Sequence, residues 1–304
     1  MHKSKADIAK LFNEKFGTAP ESTPEELTEY VRQVLRKKYT KAEVGVTGAN
    51  FLIADIGGIS VTENEGNGLM CTAFPRIHIV IAGIEKIIPR WEQLGLFYPL
   101  LAAHGTGQQM TAYNTVFTGV RKSNEIDGPE KLYVILLDNG RTDVFNDDEA
   151  YEALACIRCG ACLNGCPVYK TIGGYTYETT YSGPIGSVLT PFFRGFSDFS
   201  HLSFASTLCG KCNEVCPVKI PLTDILLANR RKTVEKNLRP ATEKMLIKGF
   251  GYIAGTRKGF DFFNGKLKNI GTFAFNYIGW GPKRDMPKFA EKSFSEQYRK
   301  KNNI

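Results

Sequence analysis

Seven of the eight cysteines stand in two short runs, and no other feature of the chain restricts its fold and chemistry as much. The first run is Cys156-Ile-Arg-Cys159-Gly-Ala-Cys162-Leu-Asn-Gly-Cys166-Pro167, a C-x2-C-x2-C-x3-C-P spacing. The second is Cys209-Gly-Lys-Cys212-Asn-Glu-Val-Cys216-Pro217, a C-x2-C-x3-C-P spacing. Only Cys71 stands apart. In a reducing compartment, thiols grouped this tightly are metal ligands before they are disulfides. Structural zinc takes four ligands in tetrahedral geometry, usually as two separated pairs. Here four cysteines crowd into eleven residues and a proline follows each run. That pattern calls for iron–sulfur chemistry.

The first spacing is that of bacterial two-cluster ferredoxins, in which the fourth cysteine of a run serves the other cluster. Cysteines two residues apart on a tight loop reach different iron corners of one cubane, while the loop's N–H groups offset the charge of the sulfides. Gly160 and Gly210 give such a loop the backbone freedom it needs. Crossing the ligands assigns Cys156, Cys159, Cys162 and Cys216 to one 4Fe-4S cluster, and Cys166, Cys209 and Cys212 to the other. The second set has three thiolates. Ser206 stands where a full run would place its first cysteine. The second cluster is therefore expected to be a 3Fe-4S type, or a 4Fe-4S cubane with a non-cysteine ligand, for which Ser206 is the geometric candidate. A plain turn or helix serine is the alternative for Ser206. The two runs lie 42 residues apart and a helical pattern follows the second. An α-helical ferredoxin-like arrangement is favoured.

The 304 residues suffice for two ordinary domains, and 42% hydrophobic content is normal for a chain with a buried core. No apolar run approaches the roughly 18 residues of a membrane span. Met1 to Lys5 leads into an amphipathic helix pattern, not a secretory leader, so a cytoplasmic location is expected. The net charge of +8 is concentrated at the end, with 18 Lys/Arg against 6 Asp/Glu from Asn229 onward. Such a tail suits nucleic acid, anionic lipid or an acidic partner, but its charges are spread as on a solvated helical surface.

Helices are expected over Ala6–Phe16, from Pro24 to about Lys38 behind a Thr23-Pro24-Glu25-Glu26 capping box, and from about Trp91 to Ala103. Strands are expected at Glu43–Thr47, Phe51–Ile56, Ile59–Thr62, Ile77–Ala82, Asn114–Thr118 and Lys131–Leu137. Leu222, Ile225, Leu226 and Asn229 mark one face of a helix after Pro221. The resulting plan is an α/β domain over 1–148, a dicluster module over 149–229 and a basic helical extension over 230–304. Asp147-Asp148-Glu149 reads as a boundary or helix start. Phe260, Phe262, Phe263, Phe273, Phe275, Tyr277 and Trp280 read as packing residues of the extension.

From Val44 to Leu222 the chain resembles the lactate-utilisation iron–sulfur proteins. The matching phrases are Val46–Phe51, Asn64–Gly68, Pro75 with His78, Thr106–Gln108, Asp127–Pro129, Leu137–Arg141, Cys156–Tyr169, Gly173-Gly174, Gly183–Gly186 and Leu208–Pro221, with Lys292–Phe294 near the end. The resemblance implies a LUD domain, similar to sugar-isomerase and CoA-transferase domains, followed by the ferredoxin module. It implies a subunit of a complex oxidising L-lactate to pyruvate, working with a cysteine-rich redox subunit and a second LUD-domain protein. Met1-His2-Lys3 aligns with the interior of that family's first domain. On this likeness the LUD domain is expected to be truncated and to leave an uncovered apolar face, with another chain as a candidate carrier of the missing half.

Other residues offer weaker signals. Asn64-Glu65-Gly66-Asn67-Gly68 is similar to the glutamate loop of CoA-transferase-like folds, where the carboxylate is a nucleophile, and equally to a simple turn. His2, His78, His104 and His201 are scattered, with His78 read as a satisfied core residue and Cys71 as a buried thiol. No Walker loop or G-x-G-x-x-G is present. Two competing readings remain: a nucleic-acid-binding protein with structural clusters, and an acyl- or CoA-transferase-like enzyme. Paired clusters argue for electron transfer and against the first, because one cluster suffices structurally.

Overall fold

The computed structural model describes residues 3–262, 265–276 and 287–302. It divides into two compact units, Met1–Lys236 and Asn237–Ile304. The first unit opens with α1 (Lys5–Phe16) and α2 (Pro24–Tyr39). The Thr23 capping box forms: the Glu26 N–H donates to Thr23 Oγ1 at 3.2 Å and the Thr23 N–H donates to Glu26 Oε2 at 2.8 Å. That satisfies two of the backbone donors a helix start leaves free. Phe12, Phe16 and Tyr30 join the two helices, with ring centroids 5.4–6.5 Å apart.

The strands that follow are β1 (Val44–Thr47), β2 (Phe51–Ile53), β3 (Gly58–Glu63), β4 (Ile77–Gly83), β5 (Ile87–Ile88), β6 (Tyr113–Phe117) and β7 (Lys131–Leu137). They form two sheets. One is parallel, in the order β1-β4-β7; the other is mixed, in the order β5-β2-β3-β6. The sheets share a core in which Val80 and Ala82 of β4 meet Leu52 and Ile59. His78 is buried on that face of β4 and hydrogen-bonded through Nε2 to Thr47 Oγ1 at 2.8 Å. Burial lowers its pKa, so it is the satisfied neutral core residue expected.

The sequence pattern does not show β5, which has two residues, or α3 (Asn67–Ala73), whose first N–H donors are met by the Glu63 carboxylate at the end of β3. The helix expected from Trp91 begins as a 3-10 turn and continues as α4 (Leu94–Gly105).

The other face of the parallel sheet is partly exposed among the described residues. Val44, Val46, Ile81, Tyr133, Ile135 and Leu137 share it by register and are 40–55% exposed. Parallel sheets are ordinarily covered on both faces, and exposed apolar edges recruit other chains. Ile135→Lys is expected to cost no more than about 0.5 kcal/mol, as a surface change does, and to reduce self-association. Thermal melting and light scattering check both. A large loss of stability would mean that this face is packed in the folded chain.

The cysteine region is built of short helices: α5 (Arg141–Phe145), α6 (Ala161–Gly165), α7 (Pro167–Ile172), α8 (Gly183–Arg194), α9 (Phe196–Phe204), α10 (Lys211–Val215) and α11 (Leu222–Glu235). Val188 and Leu189 of α8 pack with Leu222, Ile225 and Leu226 of α11, all at most 1% exposed. Each such aliphatic contributes roughly 1.5–3 kcal/mol by burial. Asn229 ends this face and is itself fully buried, with Nδ2 donating to Val188 O at 3.0 Å.

The acidic stretch before the cysteines is engaged in ion pairs. Asp147 pairs with Lys232 at 2.5 Å and Glu149 pairs with Arg231, fastening the module's entrance to α11.

The second unit holds α12 (Ala241–Ala254), α13 (Arg257–Asp261), α14 (Gly265–Phe275) and α15 (Phe294–Asn302). Asn269 and Phe289 exchange two hydrogen bonds, at 2.9 and 2.7 Å. Phe262 and Phe273, expected to pack, are 78% and 75% exposed, because the helices here bury little apolar surface. Phe263, Tyr277, Trp280 and His2 lie outside the described residues, as do the side chains of Phe260 and Phe275. Among the described residues, no helix is long and apolar enough to cross a membrane.

Candidate metal centre

The two cysteine loops repeat one backbone design. In the first, Arg158 and Gly160 have φ of 65° and 81°; in the second, Leu208 and Gly210 have φ of 54° and 81°. After each glycine a single helical turn begins. The Leu163 and Asn164 N–H groups donate to Gly160 O at 2.9 and 3.3 Å, and the Asn213 and Glu214 N–H groups donate to Gly210 O at 3.0 and 3.3 Å. The left-handed pair of residues reverses the chain between successive cysteines. A non-glycine residue there is strained, and both loops accept that at the same step. In this correspondence Cys159 matches Cys209, Cys162 matches Cys212, Cys166 matches Cys216, and Cys156 matches Ser206.

All eight cysteines are free thiols. Cys156, Cys159, Cys162 and Cys216 line one cavity of about 270 Å³, together with Arg158, Tyr181, Ile185 and Ile220. Three residues of the first run and the last of the second therefore enclose one space. Cys166, Cys209 and Cys212 are not part of that lining.

The thiols influence one another electrostatically both within and across the two sets. Burial raises the pKa of Cys159, and Cys156 and Cys216 add to it. Burial raises Cys212, with Cys166 and Cys209 adding. Cys162 is pushed by burial to about 12, with Cys156, Cys159 and also Cys212 contributing. Cys209 is solvent-exposed and lowered, first by the Lys211 N–H and then by the Thr207 hydroxyl. Backbone donors also reach Cys166 Sγ from Tyr169 at 3.5 Å and Cys216 Sγ from Ile220 at 3.4 Å. Donors placed on thiolate sulfur are among the means by which a protein sets a cluster's potential.

The residues fit an iron–sulfur group on two grounds. Four thiols surround a space of cluster scale. Arg158, which lines the cavity, has buried Nε and Nη1 atoms without a hydrogen-bond partner.

The walls of the site join it to both parts of the first unit. Ile157 is 5% exposed and packs with Phe51, Ile53, Ile88 and Leu94 of the sheet domain. Leu222, which also lines the cavity, begins α11. The Ser206 loop is held by Arg230 of α11, whose Nη2 donates to Ser206 O at 2.8 Å, while Ser206 Oγ accepts the Leu208 N–H at 3.2 Å. Sequence pattern alone does not show Arg158 or Arg230 as part of this site. The left-handed φ at Arg158 has no signature in residue type.

The weaker candidates do not gather here. Glu65 is exposed on its turn, and it is Glu63 that accepts the Gly68 and Leu69 N–H groups at the start of α3, at 2.6 and 2.7 Å. Cys71 is half-buried rather than fully buried, its pKa raised by burial and then by Glu63. His104 and His201 bond backbone carbonyls near them in sequence, Leu100 O at 3.0 Å and Asp198 O at 2.8 Å.

Comparison with known proteins agrees with this architecture. A family model for the LUD domain matches residues 1–137, and one for a 4Fe-4S dicluster domain matches residues 152–220. Proteins named Lactate utilization protein B from Bacillus licheniformis and Bacillus subtilis are 44% and 43% identical over 252 residues, which is 83% of this chain and 53% and 52% of theirs. The Escherichia coli protein named "Uncharacterized electron transport protein YkgF" is 37% identical over 312 residues, 99% of this chain and 65% of its own. The chain spans about half the length of the Bacillus relatives it matches. A solved duf162 family protein from Deinococcus radiodurans aligns with 44% of this chain and 84% of its own at 19% identity and a TM-score of 0.27, too low to relate the folds. The chain thus carries a LUD domain followed by a 4Fe-4S dicluster domain, and over most of its length it is similar to proteins named Lactate utilization protein B.

Proposed function

We propose that this chain is the iron–sulfur electron-transfer subunit of an L-lactate-oxidising complex. The observation that carries the reading is the cavity enclosed by Cys156, Cys159, Cys162 and Cys216, because it draws one set of thiols from two separate runs. These four residues would hold a 4Fe-4S cluster. Cys166, Cys209 and Cys212 would hold the second, as a 3Fe-4S cluster or as a 4Fe-4S cluster completed by a non-cysteine ligand such as Ser206. The clusters supply one-electron capacity that the side chains of this protein lack.

The chain's own residues divide the work by depth. Cys162 and Cys216 of the first set are 9% and 7% exposed and Cys156 and Cys159 are half-buried, while in the second set Cys212 is 7% exposed. Cys209 is exposed, and Lys211 and Glu214 beside it form an exposed ion pair at 2.7 Å. Electrons would enter or leave at this rim, where a partner can approach. Cysteine-rich redox and second LUD-domain subunits are the proposed partners, with a chain carrying further LUD structure as a third. Free thiols throughout suit a reducing, cytoplasmic setting. The transferase alternative has less support, since Glu65 is a solvated turn residue. The basic stretch after Asn229 remains the basis of the nucleic-acid alternative, which salt-dependent DNA binding would reveal.

The test is anaerobic mixing of the reconstituted chain with those partner subunits and L-lactate. Bleaching of the brown cluster absorbance that requires both lactate and the partners is expected. Clusters that dithionite reduces, but that lactate never reduces with any partner combination, would contradict the lactate assignment while leaving the clusters in place.

A further inference from the structure

Arg158 occupies an unusual position for a cation. It lies between Cys156 and Cys159 in the left-handed backbone region and lines the cavity of the first cysteine set. Its side chain is 17% exposed. One nitrogen, Nη2, donates to Glu85 Oε1 at 3.3 Å, and the guanidinium lies over the Tyr181 ring at 4.2 Å. Nε and Nη1 are buried and have no partner.

The surroundings do not neutralise it. Glu85, 2% exposed, is shared with Arg141, which ion-pairs with its other oxygen. Lys86 follows Glu85 in the chain and forms no salt bridge among the described residues. Its pKa is lowered to about 8, first by burial and then by Arg158. Two arginines thus share one buried carboxylate, and Lys86 stands beside it in the chain. A surplus of buried positive charge with unfilled donors is costly unless an anion completes it. A cubane with four thiolates is such an anion, and its negative charge grows by one on reduction.

We propose that Arg158, seconded by Lys86, is the built-in counter-charge of the first cluster and raises its reduction potential, and that Glu85 moderates this effect from the LUD domain. This rests on the iron–sulfur reading of the cavity. Arg158 acts through charge and its free N–H donors; it is not a ligand. Its partner Glu85 sits in the 3-10 turn that follows β4, so the cluster's charge state would be tied to the sheet domain by one ion pair.

The experiment is an EPR-monitored redox titration of the full reconstituted chain, with the second cluster as internal reference. Iron and sulfide analysis of the wild type comes first: a wild type without them defeats the cluster reading itself. With clusters present, Arg158→Gln is expected to lower the reduced-to-oxidised ratio of the first cluster at least tenfold at a fixed potential, about 59 mV for a one-electron couple. Arg158→Lys should recover most of the shift, and Glu85→Gln should move the midpoint the opposite way. Opposite signs are not what a packing defect produces. If Arg158→Gln fails to retain the cluster, Lys86→Gln decides, with a shift of the same sign expected. An unchanged first-cluster midpoint in a fully loaded Arg158→Gln or Lys86→Gln protein overturns the proposal. So does a shift of the same sign in Arg158→Gln and Glu85→Gln.

Discussion

Cys216→Ala is expected to abolish the cluster whose other three thiolates come from the first run, and Cys166→Ala the cluster whose other two come from the second. Each variant should lose about half of the bound iron, and each should retain the EPR signal of the cluster that the other loses. The basis is spatial: Cys216 lines the cavity of Cys156, Cys159 and Cys162, and Cys166 does not. Cys216 and Cys162 are 7% and 9% exposed, so the place of the missing thiolate is screened from bulk solvent. If each variant instead loses the cluster nearest to it in sequence, the crossed assignment is wrong. The same spectra bear on Ser206. An oxidised three-iron signal tied to Cys166, Cys209 and Cys212 in the wild type would show that Ser206 is not a ligand. Ser206→Cys should then convert that signal, because the two loops share one backbone course and Ser206 takes the place of Cys156.

The parts of the molecule visible in its sequence are those encoded by close spacing. The cysteine loops are specified within a few residues, and so is the Thr23 capping box. The stripe of Leu222, Ile225, Leu226 and Asn229 follows helical periodicity, and all four side chains are buried. What spacing cannot reveal is pairing across the chain. Glu85 and Arg158 are 73 residues apart, and Asp147 and Lys232 are 85 apart. Nothing local to Arg158 distinguishes it from an ordinary surface arginine until Glu85 and Tyr181 are seen around it. The helix Asn67–Ala73 escapes notice for a related reason. Its N-cap, Gly66, offers no side-chain cap, and the carboxylate that satisfies its first donors is that of Glu63, at the end of the preceding strand. The separation into two sheets is likewise a matter of long-range strand order, which Val- and Ile-rich runs do not carry.

Metal analysis decides whether this chain holds two iron–sulfur clusters on its seven clustered thiols. The thiols are there and free, and four of them line one cavity. The first set surrounds a volume, not a point. The full-length chain, reconstituted anaerobically with iron and sulfide, is expected to be brown. It should bind about seven or eight irons, with labile sulfide in matching amount. The lower figure would correspond to a three-iron second cluster and the higher to two cubanes. Protein that instead takes up one or two zinc ions, with no labile sulfide and no visible absorbance, would contradict the account at its root.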